Sequence, residues 1–203
     1  MKYYLKKTAR AFIYILLTLA LSIGTMASKG SNDNVVVPFL MALLNVAILT
    51  LSLGVIFYKE GQKAYRILTE NDLNRKRIIE TGKNYPLKEA EEYKPYKGVL
   101  IGLCVCIPLV FLLLVHLVVS LATNGQVRVL GIIASVVYMV LYSPFAVFFS
   151  ANVYWYKFFY LLYAIPYFCL AIGLPYYLGG RKKRLQREEI NKTHKEIYGE
   201  KNK

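Results

Sequence analysis

Carboxylates are missing from long stretches of this 203-residue chain: none lies between Asp33 and Glu60, and none between Glu92 and Glu188. The cations inside those gaps, such as Arg128 and Lys157, stand at the edges of long apolar runs. A surface facing water needs solvated acids as well as bases. A helix in hydrocarbon must shed charge, because a charged side chain at the bilayer centre costs about 2.5–3.5 kcal/mol even on the lenient insertion scale. The pattern predicts an all-α fold: a polytopic helical membrane protein.

Composition fits that reading. The chain is 56% hydrophobic yet carries a formal net charge of +14, a pairing expected of buried spans with solvated basic ends. Five apolar stretches (8–27, 35–58, 98–122, 129–149 and 158–178) are long enough, or nearly so, to cross about 30 Å of hydrocarbon at about 1.5 Å per residue. The expectation is about five hydrophobic helices making four to five full crossings, with short cytoplasmic helices between them. The longest segment outside these runs, 59–97, is at the lower size limit for independent folding. Residues 1–203 therefore read as a single membrane domain bearing a basic, helical cytoplasmic loop (59–97) and a basic C-terminal tail (181–203). Residues 1–27 have the basic start of a signal peptide. Their apolar stretch is too long for one, and Thr25-Met26-Ala27 is a poor cleavage site, so they read as an uncleaved first helix.

Short Lys/Arg-rich loops stay on the cytoplasmic side. Lys2, Lys6, Lys7 and Arg10, with no acid nearby, place the N-terminus inside. The loop 59–97, with ten bases and seven acids, returns inside, and the tail from Arg181, with nine bases and four acids, also belongs there. Five full crossings would leave that tail outside. The expectation is therefore that either 129–149, broken by Pro144, or 158–178, carrying Pro166 and Pro175, enters only part-way.

Local signals subdivide the polar segments. Residues from Lys59 to about Leu68 prolong the second span, Thr69-x-x-Asp72 resembles a capping box opening a second short helix, and Gly82 stops it near Thr81. Glu89, Glu91 and Glu92 are expected to balance Lys88 and Lys94. In the tail, Glu188 and Lys192 have the favourable i,i+4 spacing. The tail's bases sit at a span end, where topology accounts for them, and no recognition module accompanies them, so no nucleic-acid role is expected.

Chemistry-bearing groups within the apolar runs are few. His116 is the one titratable group deep in such a run, and Asn45 is the amide midway through the second. From Tyr138 to Tyr177, sixteen of forty residues are aromatic. Most suit an interfacial belt. Tyr138 with Tyr142, and Tyr163 with Tyr167, each share a helix face and offer the sharper alternative of an aromatic groove. Ala20/Gly24 and Gly102/Cys106 have the four-residue spacing that lets helices approach closely. Cys104 and Cys106 point to separate helix faces, and with Cys169 they read as packing residues.

Several function classes fall away. No Asp or Glu lies within a span, which argues against carboxylate-coupled transport and intramembrane aspartyl proteolysis. There is no H-E-x-x-H, G-x-S-x-G or phosphate-binding glycine loop, and only His116 and His194 are available to a histidine metal site. No catalytic group, metal site or cofactor is expected. What remains is an interaction or accessory component of the cell membrane. Its partners would be the lipid bilayer and a membrane or cytoplasmic protein that contacts the loop and tail. The alternative is a facilitator or transporter subunit, with His116, Asn45 and the tyrosine face lining a path.

Overall fold

The computed structural model describes residues 2–29, 36–122 and 155–199, and they are all-α. Four helices appear among them: α1 (Lys2–Lys29), α2 (Val36–Thr81), α3 (Lys97–Ala122) and α4 (Trp155–Gly199), with a 3-10 turn at Glu89–Glu91. The expected apolar run 129–149 lies outside the described residues. Among those described, one helical stretch, Phe39–Thr81 (43 residues), is long and apolar enough by length and composition to cross a membrane.

The expected break at Thr69 does not occur, and burial explains why. Along α2, Ala42, Asn45, Leu49, Leu53, Phe57, Glu60, Ala64, Ile67 and Asn71 are all buried, recurring every three or four positions. One face of the helix therefore stays covered while its residues change from apolar to polar. Thr69 donates its hydroxyl to the Tyr65 carbonyl at 3.1 Å, the back-bond of a residue inside a helix rather than an N-cap. The stop at Gly82 is as the sequence indicates. Gly82 has φ +65°, and its N–H donates to the Ile78 carbonyl at 2.9 Å, closing the helix with a left-handed cap.

Contacts between helices fix their directions. Thr50 meets Tyr167, Tyr58 meets Gly179, and Thr69 meets Arg187, so α2 and α4 run parallel. Gly98 lies against Gly173, Gly102 against Phe168 and Cys169, and Cys106 against Ala164, so α3 and α4 run antiparallel. Lys7 of α1 reaches Glu60 of α2, and the Tyr3 ring lies beside Lys97 at the start of α3. The beginnings of α1 and α3, the charged half of α2 and the tail half of α4 thus gather at one end.

Glycines set how tightly the helices pack. A Cβ on Gly61 would overlap the Tyr176 carbonyl, and one on Gly179 the Tyr58 carbonyl. A Cβ on Gly98 would fall 2.8 Å from Tyr176 Cβ, and one on Gly102 2.7 Å from the Phe168 carbonyl oxygen. Backbones touch where these glycines stand, as the Gly102/Cys106 spacing predicts; the side chains at the Ala20/Gly24 pair lie outside those described. The core is Leu49, Leu53 and Phe57 of α2, Ile101 and Val105 of α3, and Phe168, Ile172 and Tyr176 of α4, with Ala11 and Ile15 of α1. The outward faces are also apolar: Leu51, Ile107, Phe111 and Leu170 are each more than 60% exposed.

Candidate functional site at the polar end of the bundle

Glu60 is the first polar residue on the buried face of α2 after Phe57, one turn beyond it, and it keeps that face's burial. Its carboxylate accepts from the Lys7 ammonium and, at 2.6 Å, from the Arg10 guanidinium of α1. The Lys7 and Glu60 side chains are about one-tenth exposed, whereas Arg10 is half in solvent. An ion pair withdrawn from water persists only when both charges are well matched. Here two cations share one carboxylate and join α1 to α2.

Tyr3 lies beside this pair. The Lys7 and Lys97 ammonium groups sit 5.4 and 5.5 Å from its ring centroid, within cation–π range. Burial, reinforced by the Glu60 charge, pushes the Tyr3 phenol up to about 12. Lys97 donates to the carbonyls of Ala90 at 2.9 Å and Glu92 at 2.7 Å. Burial, followed by the Lys94 charge, holds Lys97 below the usual lysine range, with Glu92 and Glu91 acting the other way. The Tyr176 hydroxyl is buried in the same cluster beside Tyr3 and has no hydrogen-bond partner of normal geometry among the described residues.

The loop ahead of α3 is strapped over this cluster. Glu92 is buried and accepts from Asn71 Nδ2 at 2.7 Å and Arg75 Nη2 at 2.6 Å. Asn71 Oδ1 in turn accepts the Lys88 N–H at 3.1 Å. This corrects the expected balance of Glu92 with Lys88 and Lys94: its counter-charge comes from α2. Tyr93 donates its N–H to the Ala64 carbonyl at 3.1 Å and its hydroxyl to the Tyr177 carbonyl at 3.2 Å. Its ring stacks on Tyr176 at 5.6 Å, and Gly180 leaves room for it. Tyr93 therefore ties α2 to α4 through one residue. Burial, followed by the Tyr177 phenol, raises its own phenol above the usual range.

Beyond this strap, Arg187 of α4 donates to Thr69 Oγ1 at 2.9 Å, holding the tail half of α4 beside the charged half of α2. The tail's i,i+4 pair forms one turn earlier than expected. Glu188 accepts from Arg184 at 2.8 Å rather than serving Lys192.

The residues singled out from the sequence do not converge here. Tyr138 and Tyr142 lie outside the described residues, and the side chain of His116 lies outside those described on α3. Asn45 is buried on α2, and its Nδ2 has no hydrogen-bond partner among the described residues. Tyr163 and Tyr167 do share a face: their rings stack at 5.8 Å, and the Tyr167 hydroxyl is 2.7 Å from Thr50 Oγ1. They line a shallow apolar groove of about 390 Å³ together with Pro166, Leu170, Leu174 and Pro175. Cys104, Cys106 and Cys169 are free thiols.

Sequence reasoning missed Glu60, Lys97, Tyr3 and Tyr93. The signal that finds Glu60 is the three-and-four spacing of Leu49, Leu53 and Phe57, which continues onto it. Tyr93 and Lys97 are placed by long-range contacts that leave no local pattern. Comparison of the chain with models of known protein families, with curated proteins and with solved structures yields no match.

Proposed function

We propose that this chain is a polytopic membrane protein of the cell membrane, and that its polar end is a rigid cytoplasmic platform for a protein partner. The observation that carries the membrane reading is the apolar outer surface. Leu51, Ile107, Phe111 and Leu170 face outward around a bundle whose interior is already filled, a distribution that water does not tolerate over a large contiguous area. The platform follows from helix length. At about 1.5 Å per residue, α2 and α4 are each about twice as long as a hydrocarbon layer is thick, so both continue well past it. Their extensions are cross-tied by Arg187–Thr69 and Tyr93–Tyr177, and they present exposed Ile79, Ile190 and Ile197 among exposed charges.

In this reading α1 and α3 cross outward while α2 and α4 cross inward. The N-terminus, the loop 59–97 and the tail then share the cytoplasm, in agreement with their positive charge. The segment 129–149 lies outside the described residues. A His194→Cys variant tests the topology: an impermeant thiol reagent should label it in permeabilised cells and leave it unlabelled in intact ones. Labelling from outside rejects the arrangement. Affinity purification of the intact chain beside an Ile190→Asp/Ile197→Asp variant tests the platform. Loss of the partners retained by the intact chain is expected, and an unchanged set rejects the assignment.

A further inference from the structure

Resting on the membrane reading above, we infer that Arg181 and Lys182 form a binding site for one anionic phospholipid where α4 leaves the hydrocarbon. The run Arg181-Lys182-Lys183-Arg184 looks uniform in the sequence, but the structure divides it. Lys183 donates to Gln186 Oε1 at 2.8 Å, and Arg184 donates to Glu188 at 2.8 Å. Arg181 and Lys182 make no hydrogen bond or ion pair among the described residues, and both are exposed. They line a shallow crease of about 470 Å³ with Leu178, Leu185, Gln186 and Glu189. Glu189, the one acid there, lies two turns further from the apolar segment.

The placement matches an anionic lipid in depth and chemistry. Leu174, Leu178, Arg181, Lys182 and Leu185 follow one stripe of the helix, and the three leucines are about half exposed. Leu174 and Leu178 belong to the apolar segment and offer an acyl chain a surface. Arg181 and Lys182 come within about one turn of Leu178, at headgroup depth. Helical side chains lean toward the N-terminus of their helix. For α4 that is back toward the hydrocarbon, so both cations reach toward a phosphate rather than away from it. A guanidinium fits two phosphate oxygens, while an ammonium supplies a mobile point charge. An uncompensated pair above exposed leucines is complementary to a lipid that carries negative charge and an apolar chain together.

The test uses the full chain in nanodiscs of phosphatidylcholine containing a minority of phosphatidylglycerol, with retained lipids counted by native mass spectrometry. Wild type should retain phosphatidylglycerol in excess of its share of the bilayer. Arg181→Gln/Lys182→Gln should lower that retention by about 30-fold, from the contribution expected of two cations at an anionic surface. Lys183→Gln/Arg184→Gln removes the same charge and should leave retention unchanged. An equal fall in both pairs would assign the preference to the overall positive field and overturn the site, and so would no fall in either. A chain that never enters the nanodisc is seen before any lipid is counted, and that result overturns the membrane reading itself. Circular dichroism of each variant separates lost binding from lost fold.

Discussion

Replacing Glu60 by Gln tests whether the end of the bundle is held by charge. The substitution keeps shape and one carbonyl oxygen but removes the carboxylate that faces Lys7 and Arg10. Arg10 is half exposed, and water screens its loss, so it contributes little. Lys7 is different: its side chain is about one-tenth exposed and would keep a buried positive charge with no counter-ion. Stranding one member of a buried pair costs about 3–5 kcal/mol. The Gln oxygen still accepts one hydrogen bond, which puts the expectation at the lower end, about 3 kcal/mol. For a chain of this size that corresponds to a fall in Tm of about 6–12 °C. The assay is thermal unfolding in detergent of wild type, Glu60→Gln, Lys7→Met and the double variant. Because the double variant leaves no stranded charge on Lys7, it should be clearly more stable than Glu60→Gln alone. A Glu60→Gln protein that melts with wild type, or a double variant destabilised by the sum of the singles, would refute the reasoning.

Three further outcomes follow from the same geometry. Gly61→Val should force α2 and α4 apart, because its Cβ would overlap the Tyr176 carbonyl. The cost should be at least the 1–3 kcal/mol or so of ordinary overpacking, and loss of a Thr69→Cys to Arg187→Cys crosslink would report it. Tyr93→Ala removes the ring that meets Tyr65 of α2 at 5.9 Å and stacks on Tyr176 of α4, and should increase hydrogen exchange along both α2 beyond Ala64 and α4 beyond Tyr177; protection lost on only one helix would contradict this. The Tyr3 phenol is pushed up to about 12 in the folded state, from an ordinary value near 10. Its contribution to stability is complete below pH 10 and is lost as pH rises toward 12, because the unfolded chain ionises first. Tyr3→Phe should flatten that part of the pH–stability curve, read by circular dichroism against ultraviolet titration of the phenols.

The helices were legible because helix formation and burial leave periodic traces. The expected apolar runs 8–27, 98–122 and 158–178 each fall within one described helix, and 35–58 does so from Val36 onward. The stop at Gly82 was legible because a left-handed cap selects glycine. The capping box at Thr69 misled because its residues are equally at home inside a helix, and the tie-breaker is tertiary: Arg187 of α4 meets Thr69 itself, and the loop ahead of α3 covers the next turn of α2 at Asn71. The candidate site was the least legible part. Glu60, Tyr3, Tyr93 and Lys97 come from three separate segments of the sequence, and only the packing of α1, α2 and the loop brings them together. Asn45 and the Tyr163/Tyr167 pair were found from the sequence, but the sequence does not say that Asn45 would be buried, Tyr163 exposed, and Tyr167 packed against the core with its hydroxyl on Thr50.

The parallel course of α2 and α4 links these observations. Two consecutive antiparallel helices can be joined by a short loop, but a parallel pair requires an intervening return, which α3 supplies here. The parallel contact from Thr50–Tyr167 to Thr69–Arg187 spans the apolar and the charged halves without interruption. The glycines at 61, 179 and 180 stand at the junction between those halves, where the backbones come closest. Close backbone approach gains van der Waals contact whether the surroundings are lipid or water, so it can carry a helix pair across the boundary between them. Side-chain hydrophobicity cannot, since its driving force disappears in lipid. The buried Glu60 pair and the Tyr93 strap lie beside those glycines, where loop closure at the polar end adds specificity to a contact that glycine has already made close.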